Sequence, residues 1–159
     1  MSGDLLLDIR GLDVALPAGA DRAMALRDVS LQVARNEIVC VVGESGSGKS
    51  MTASAVMGLL PPAVKVARGD IRLDGQNLLE LRPDQMRRIR GPRIGMIFQE
   101  PMTALNPLKR VGEQISEMFL LHSKMSRAQR KARAIALLDS VHIADPAATF
   151  RAYPHELSG

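Results

Sequence analysis

The sequence predicts an α/β fold, and three observations carry that prediction. Apolar residues alternate with a period of two through most of the first third of the chain. A run of five apolar residues, Ile38-Val39-Cys40-Val41-Val42, then leads without alternation into a glycine-rich loop and a helical segment. From about Asn106 the apolar spacing becomes helical. With 159 residues, 46% of them hydrophobic and 24% charged, the chain can bury a sizeable core, and wholesale disorder is excluded.

Each element follows from its residues. Leu5, Leu7 and Ile9 mark a first strand, and Leu12, Val14 and Leu16 repeat its period before a turn at Pro17, Gly19 and Asp21. Val29, Leu31 and Val33 form the next strand, ended by the polar turn Arg35-Asn36-Glu37. The run Ile38 to Val42 suits a central parallel strand covered on both faces. Lys49 to Leu60 reads as a helix stopped by Pro61-Pro62. Ile71 and Leu73 lead into Asp74-Gly75, a hairpin signal, and Leu78-Leu79 resume beyond it. Ile94 to Phe98 is a further short strand. Val111, Ile115, Met118 and Phe119 share one helix face; Ser126 caps a second helix carrying Ala128, Ala132, Ile135, Leu138 and Val141.

Composition narrows the partners. The single cysteine, Cys40, excludes an intramolecular disulfide framework and a cysteine zinc site. No stretch reaches 18 apolar residues and no signal peptide is visible, so a chain in the cytoplasm without a membrane span is expected. The net charge is +4, with local excess only from Arg82 to Arg93. Aromatic residues make up 3% of the chain and none precedes Phe98, so that segment reads as a solvated helix face and no nucleic-acid partner is expected.

Residues 43–50 read GESGSGKS, a full match to G-x-x-x-x-G-K-[ST] between a buried strand and a helix. Gly43, Gly46 and Gly48 permit backbone shapes in which successive N–H groups surround phosphate oxygens. The helix N-terminus beyond them favours the same anion. Lys49 can reach the β and γ phosphates, and the Ser50 hydroxyl can ligate Mg²⁺. Met51, where a dinucleotide loop starting at Gly46 would need glycine, excludes that rival. This is a P-loop NTPase pattern.

Gln99, fifty residues after Lys49, ends the apolar stretch Met96-Ile97-Phe98 and can present an amide oxygen to a metal ion or orient a water. With GESGSGKS, FQEPMTALNPL at 98–108 and YPHELSG at 153–159, the chain resembles the ATP-binding subunits of ATP-binding-cassette (ABC) transporters. The group serving dipeptides, oligopeptides and nickel is the most similar. The resemblance covers essentially the whole chain and implies an ABC ATPase: a P-loop core with an antiparallel β subdomain and an α-helical subdomain. Residues 1–98 would form the β subdomain and P-loop core, and 99–159 the Q-loop and helical subdomain, of one incomplete nucleotide-binding domain truncated before Walker B.

The resemblance also assigns roles. Gly43, Glu44, Ser45, Gly46, Ser47, Gly48, Lys49, Ser50 and Met51 would hold ATP, with Leu16 near the adenine where the family usually has an aromatic residue. Lys49 and Gln99 would act at the γ-phosphate, and Ser50 and Gln99 would hold Mg²⁺. Leu157, Ser158 and Gly159 would open the signature that meets the ATP of a second, identical or different, ATP-binding subunit. The implied partners are membrane permease subunits, docking near Met102, Leu105, Leu108, Met118 and Phe119. The implied place is the cytoplasmic face of the inner membrane, peripherally bound. Walker B, its glutamate and the switch histidine have no counterpart in the sequence, so hydrolysis by these residues alone is not expected. Ile135 to Asp139 has an apolar-then-Asp form but helix-forming surroundings. His142 stands where the family commonly has glycine after a helix. The alternative reading is a nucleotide-binding fragment without turnover; a DNA-associated ATPase is disfavoured because no heptad run appears.

Overall fold

The computed structural model describes residues 5–98 and 104–157, which gather into two compact units, Met1–Met96 and Ile97–Gly159. In the first unit β1 (Leu5–Ala15) lies inside a four-stranded antiparallel sheet with β2 (Met24–Ala34), β3 (Lys65–Leu73) and β4 (Gln76–Asn77), in the order β2-β1-β3-β4. The two phases of alternation belong to a single strand. Between the pairs Ile9↔Leu31 and Leu12↔Val29, β1 carries one residue more than β2; between Leu12↔Val29 and Val14↔Leu26, β2 carries one more than β1. Gly11 (φ 53) and Asp28 (φ 52) take left-handed conformations there. The Gly11 N–H donates to Ser30 Oγ at 2.9 Å and the Asp28 N–H to Asp13 Oδ1 at 2.6 Å. These bulges let odd positions up to Ile9 and even positions from Leu12 face one core. Ile9, Leu12, Val14 and Ile71 are fully buried in it. Gly69 (φ 101) crosses the bulge so closely that a Cβ would lie 2.6 Å from the carbonyl oxygens of Arg10 and Gly11.

α1 (Lys49–Val56) buries Ala55 and Val56 against the sheet. It ends earlier than the two prolines suggest. Gly58 adopts φ 61, its N–H donates to Ala55 O, and the Leu59 N–H donates to Ser54 O. That glycine cap, not Pro61-Pro62, terminates the helix. The Asp74-Gly75 turn joins β3 to β4 as expected, with both residues at positive φ. α2 (Pro83–Ile89) buries Met86 and Ile89 and exposes Arg87 and Arg88. The basic segment is only partly a solvated face. Arg90 donates to the carbonyls of Met57 (2.7 Å) and Gly58 (2.6 Å), at the electronegative end of α1, and Arg93 and Arg35 both reach Asp74.

Two expected strands do not form. Ile38 to Val42 joins no sheet, with Ile38 and Val42 93% and 92% exposed. Ile94 makes one isolated bridge with Arg90, and Ile97 is 91% exposed. A strand is held by ladder hydrogen bonds to a neighbour. Among the described residues no segment runs beside either run as a ladder partner.

The second unit holds α3 (Val111–His122), α4 (Arg127–Ser140) and α5 (Pro146–Arg151). The Gln114 side chain bonds the Asn106 N–H and the Asn106 and Lys109 carbonyls, fixing the entry to α3. The Val111 N–H donates to Ala152 O, and Gly112 lies so close to Phe150 that a Cβ would meet its ring at 2.2 Å. Ser126 caps α4 as expected, in a capping box with Gln129. Its buried residues are Ala134 and Leu138, whereas Ala128, Ala132 and Val141 are exposed. Alanine suits either environment, so the alanines misdirected the face assignment. Ile135 to Asp139 is helical, as its composition implies.

Candidate functional site

The phosphate loop precedes α1, and two of its glycines are set by conformation, Gly48 by a close contact as well. Gly46 (φ 79) and Gly48 (φ 97) are left-handed, and a Cβ on Gly48 would sit 2.4 Å from Leu26 Cδ2 of β2. A Cβ on Gly43 would lie 2.8 Å from Ser47 Oγ. α1 opens with no side-chain cap and no acidic residue in its first turn, so its N-terminal donors and partial positive charge face no protein carboxylate there.

Lys49 lies folded against the loop. Its Nζ donates to Gly43 O (2.7 Å), Glu44 O (2.8 Å) and Ser47 Oγ (3.1 Å), so all three ammonium donors are engaged. Ser50 is exposed, and among the described residues its hydroxyl makes no hydrogen bond. A hard oxygen donor so placed fits a Mg²⁺ ion carried by phosphates. Ser45 is likewise exposed in the loop. The Met51 side chain packs into the core, leaving only its backbone for a ligand. Half-buried Leu16 closes the β1–β2 turn, its N–H donating to Ala23 O at 2.9 Å.

Gln99, Ser158 and Gly159 lie outside the described residues, as does Met102. Leu157 belongs to the second unit, where it follows a 3-10 turn at Pro154–Glu156 and donates its N–H to Pro154 O. One neighbour of the loop escaped the sequence reading. Arg22, in the β1–β2 turn, donates from Nη2 to Gly46 O at 3.4 Å. No motif flags it, because the contact joins positions 24 residues apart across a turn of variable composition.

A family model described as ABC transporter matches residues 26–159. The probable D,D-dipeptide transport ATP-binding protein DdpD of Escherichia coli is 48% identical over 97% of this chain and 47% of its own length. The oligopeptide transport ATP-binding protein OppD of Bacillus subtilis is 41% identical over 97% of this chain and 43% of its own. The chain thus spans about half the length of these curated relatives. The solved dimeric structure of MJ0796, a bacterial ABC transporter cassette, matches with a TM-score of 0.81 at 26% identity, covering 96% of this chain and 63% of that one. With that family model covering most of the chain, the phosphate loop and the helical unit included, the chain belongs to the ABC transporter family.

Proposed function

We propose that the chain binds Mg²⁺-ATP through Gly43 to Ser50. The observation that supports this most directly is the loop itself: Gly46 and Gly48 at positive φ, a lysine folded against the loop, and a helix with no acidic residue in its first turn. The loop N–H groups and Lys49 hold the phosphates, and Ser50 holds the cation. Mg²⁺, when bound, neutralises charge on the β and γ phosphates. Gln99 is assigned to the γ-phosphate and Mg²⁺, and Leu157, Ser158 and Gly159 to the ATP of a second ATP-binding subunit. Titration with Mg²⁺-ATP should saturate at one site per chain; no saturation would reject the reading.

For a longer protein containing these residues, we propose ATP hydrolysis that drives transport of a peptide- or nickel-type solute across the membrane through permease subunits. The relatives' names supply the solute class, and the dimeric cassette supplies the second subunit. Among the described residues no helix is long and apolar enough to cross a membrane, which suits peripheral attachment to a permease at the cytoplasmic face of the inner membrane. Leu108, 85% exposed, and Met118, 47% exposed, offer apolar contacts for docking, beside half-buried Leu105. Charging Leu105 should abolish transport by the longer protein and leave ATP binding unchanged. The 159 residues alone are proposed to bind without turnover, since attack on the γ-phosphorus needs a positioned water, and Asp139 sits in α4. Phosphate release near 1 s⁻¹, roughly ordinary enzyme turnover, that vanishes in Lys49→Ala would reject that proposal.

A further inference from the structure

Resting on the nucleotide reading above, we propose that Arg22 supplies the flat surface on which the nucleotide base lies, with Leu16 as its apolar companion. The β1–β2 turn is closed by the Leu16 N–H on Ala23 O, which sets Leu16 and Arg22 at the base of one turn. From there the Arg22 guanidinium reaches Gly46 O, so the turn and the phosphate loop are immediate neighbours. The unit that carries the loop holds no aromatic residue, since the first in the chain is Phe98. A base entering this site therefore finds no ring in the unit to stack on. A guanidinium is planar, delocalised and weakly hydrated, and it stacks on the π-face of a base.

Several other arginines of the unit are engaged elsewhere. Arg10 pairs with Asp8, Arg68 with Asp13 and Asp28, and Arg90 binds the carbonyls of Met57 and Gly58. Arg22 makes no ion pair among the described residues, and its single hydrogen bond, at 3.4 Å, is long enough to release at little cost. Its position also favours the base over the phosphates. Lys49 and the α1 N-terminus already serve the phosphates, whereas Arg22 meets the loop from the β1–β2 turn, at Gly46 O.

The test compares ATP with inorganic tripolyphosphate, each with Mg²⁺, on the wild-type chain and on Arg22→Ala, Arg22→Lys and Arg22→Tyr. Arg22→Ala should weaken ATP about fivefold or more while tripolyphosphate affinity stays the same, which also shows that the variant is folded. Arg22→Tyr should restore ATP binding, and Arg22→Lys, charged but without a plane, should not. Equal loss of both ligands in Arg22→Ala, rescue by lysine, or unchanged ATP affinity would each overturn the inference. A wild-type chain that binds neither ligand would overturn the nucleotide reading beneath it.

Discussion

Lys49 is tied to the loop by all three of its donors, to Gly43 O, Glu44 O and Ser47 Oγ, partners that a nucleotide must share or displace. A charge-assisted hydrogen bond contributes about 1.5–3 kcal/mol, and the exchange places Lys49→Ala near the lower end, roughly a tenfold loss of ATP affinity. Titration of the folded variant checks this; equal affinity would contradict the loop assignment. At Asp8 the expected effect is on stability. Its carboxyl is held below the ordinary range chiefly by the hydrogen bond from Arg10, against the opposing effect of burial and with help from Gln32. Asp13 is lowered first by the Asp28 backbone N–H and then, against burial, by Arg68. A carboxylate with a depressed folded pKa contributes stability above its unfolded value, about 3.9, that is lost as pH falls through the folded value. Urea midpoints should therefore fall between neutral pH and about pH 3, and fall less in Asp8→Asn. An identical fall in both proteins would show that the Asp8 contacts contribute nothing.

At the scale of elements, the left-handed positions carry the sharpest information. α4 ends with the His142 N–H on Asp139 O and the Ile143 N–H on Leu138 O, the double bond of a helix closed by a left-handed residue. His142 sits there at φ 61, a conformation that disfavours a Cβ. His142→Gly should stabilise the chain by about 0.5–1 kcal/mol, read as a higher denaturant midpoint; a lower one would mean that the imidazole makes a contact worth more than the strain. The same physics separates what the sequence shows from what it hides. Asp74-Gly75, the cap at Ser126 and the loop at 43–50 are local, each set by a few adjacent residues, and all three were legible. Leu5, Leu7 and Ile9 against Leu12 and Val14 announced the change of phase but not its cause, because a bulge is defined only by the partner strand. The buried face of α4 was misread because its alanines carry little preference. The expected strands at Ile38 and Ile94 have the right composition, yet pairing is a property of neighbours. Arg22 left no trace at all, since its contact is tertiary.

Over the whole molecule, burial is uneven. The first unit has a closed core around Ile9, Leu12, Val14 and Ile71. It also has a cavity of about 340 Å³ beside α1, walled by Leu7, Leu31, Val41 and Val56, and an apolar run left open to water at Ile38 and Val42. Unpaired backbone next to exposed apolar side chains favours association between chains. Sedimentation of the 159 residues should show a mass that rises with concentration, and calorimetry a broad thermal transition. A monomer with one sharp transition would contradict this. Cys40, the chain's single cysteine, stands exposed inside that same run. The rate at which an alkylating reagent consumes the thiol is therefore a clock for how often the run is uncovered. It should slow as the chains are concentrated, and slow further in any longer protein that supplies Ile38–Val42 with a neighbouring strand.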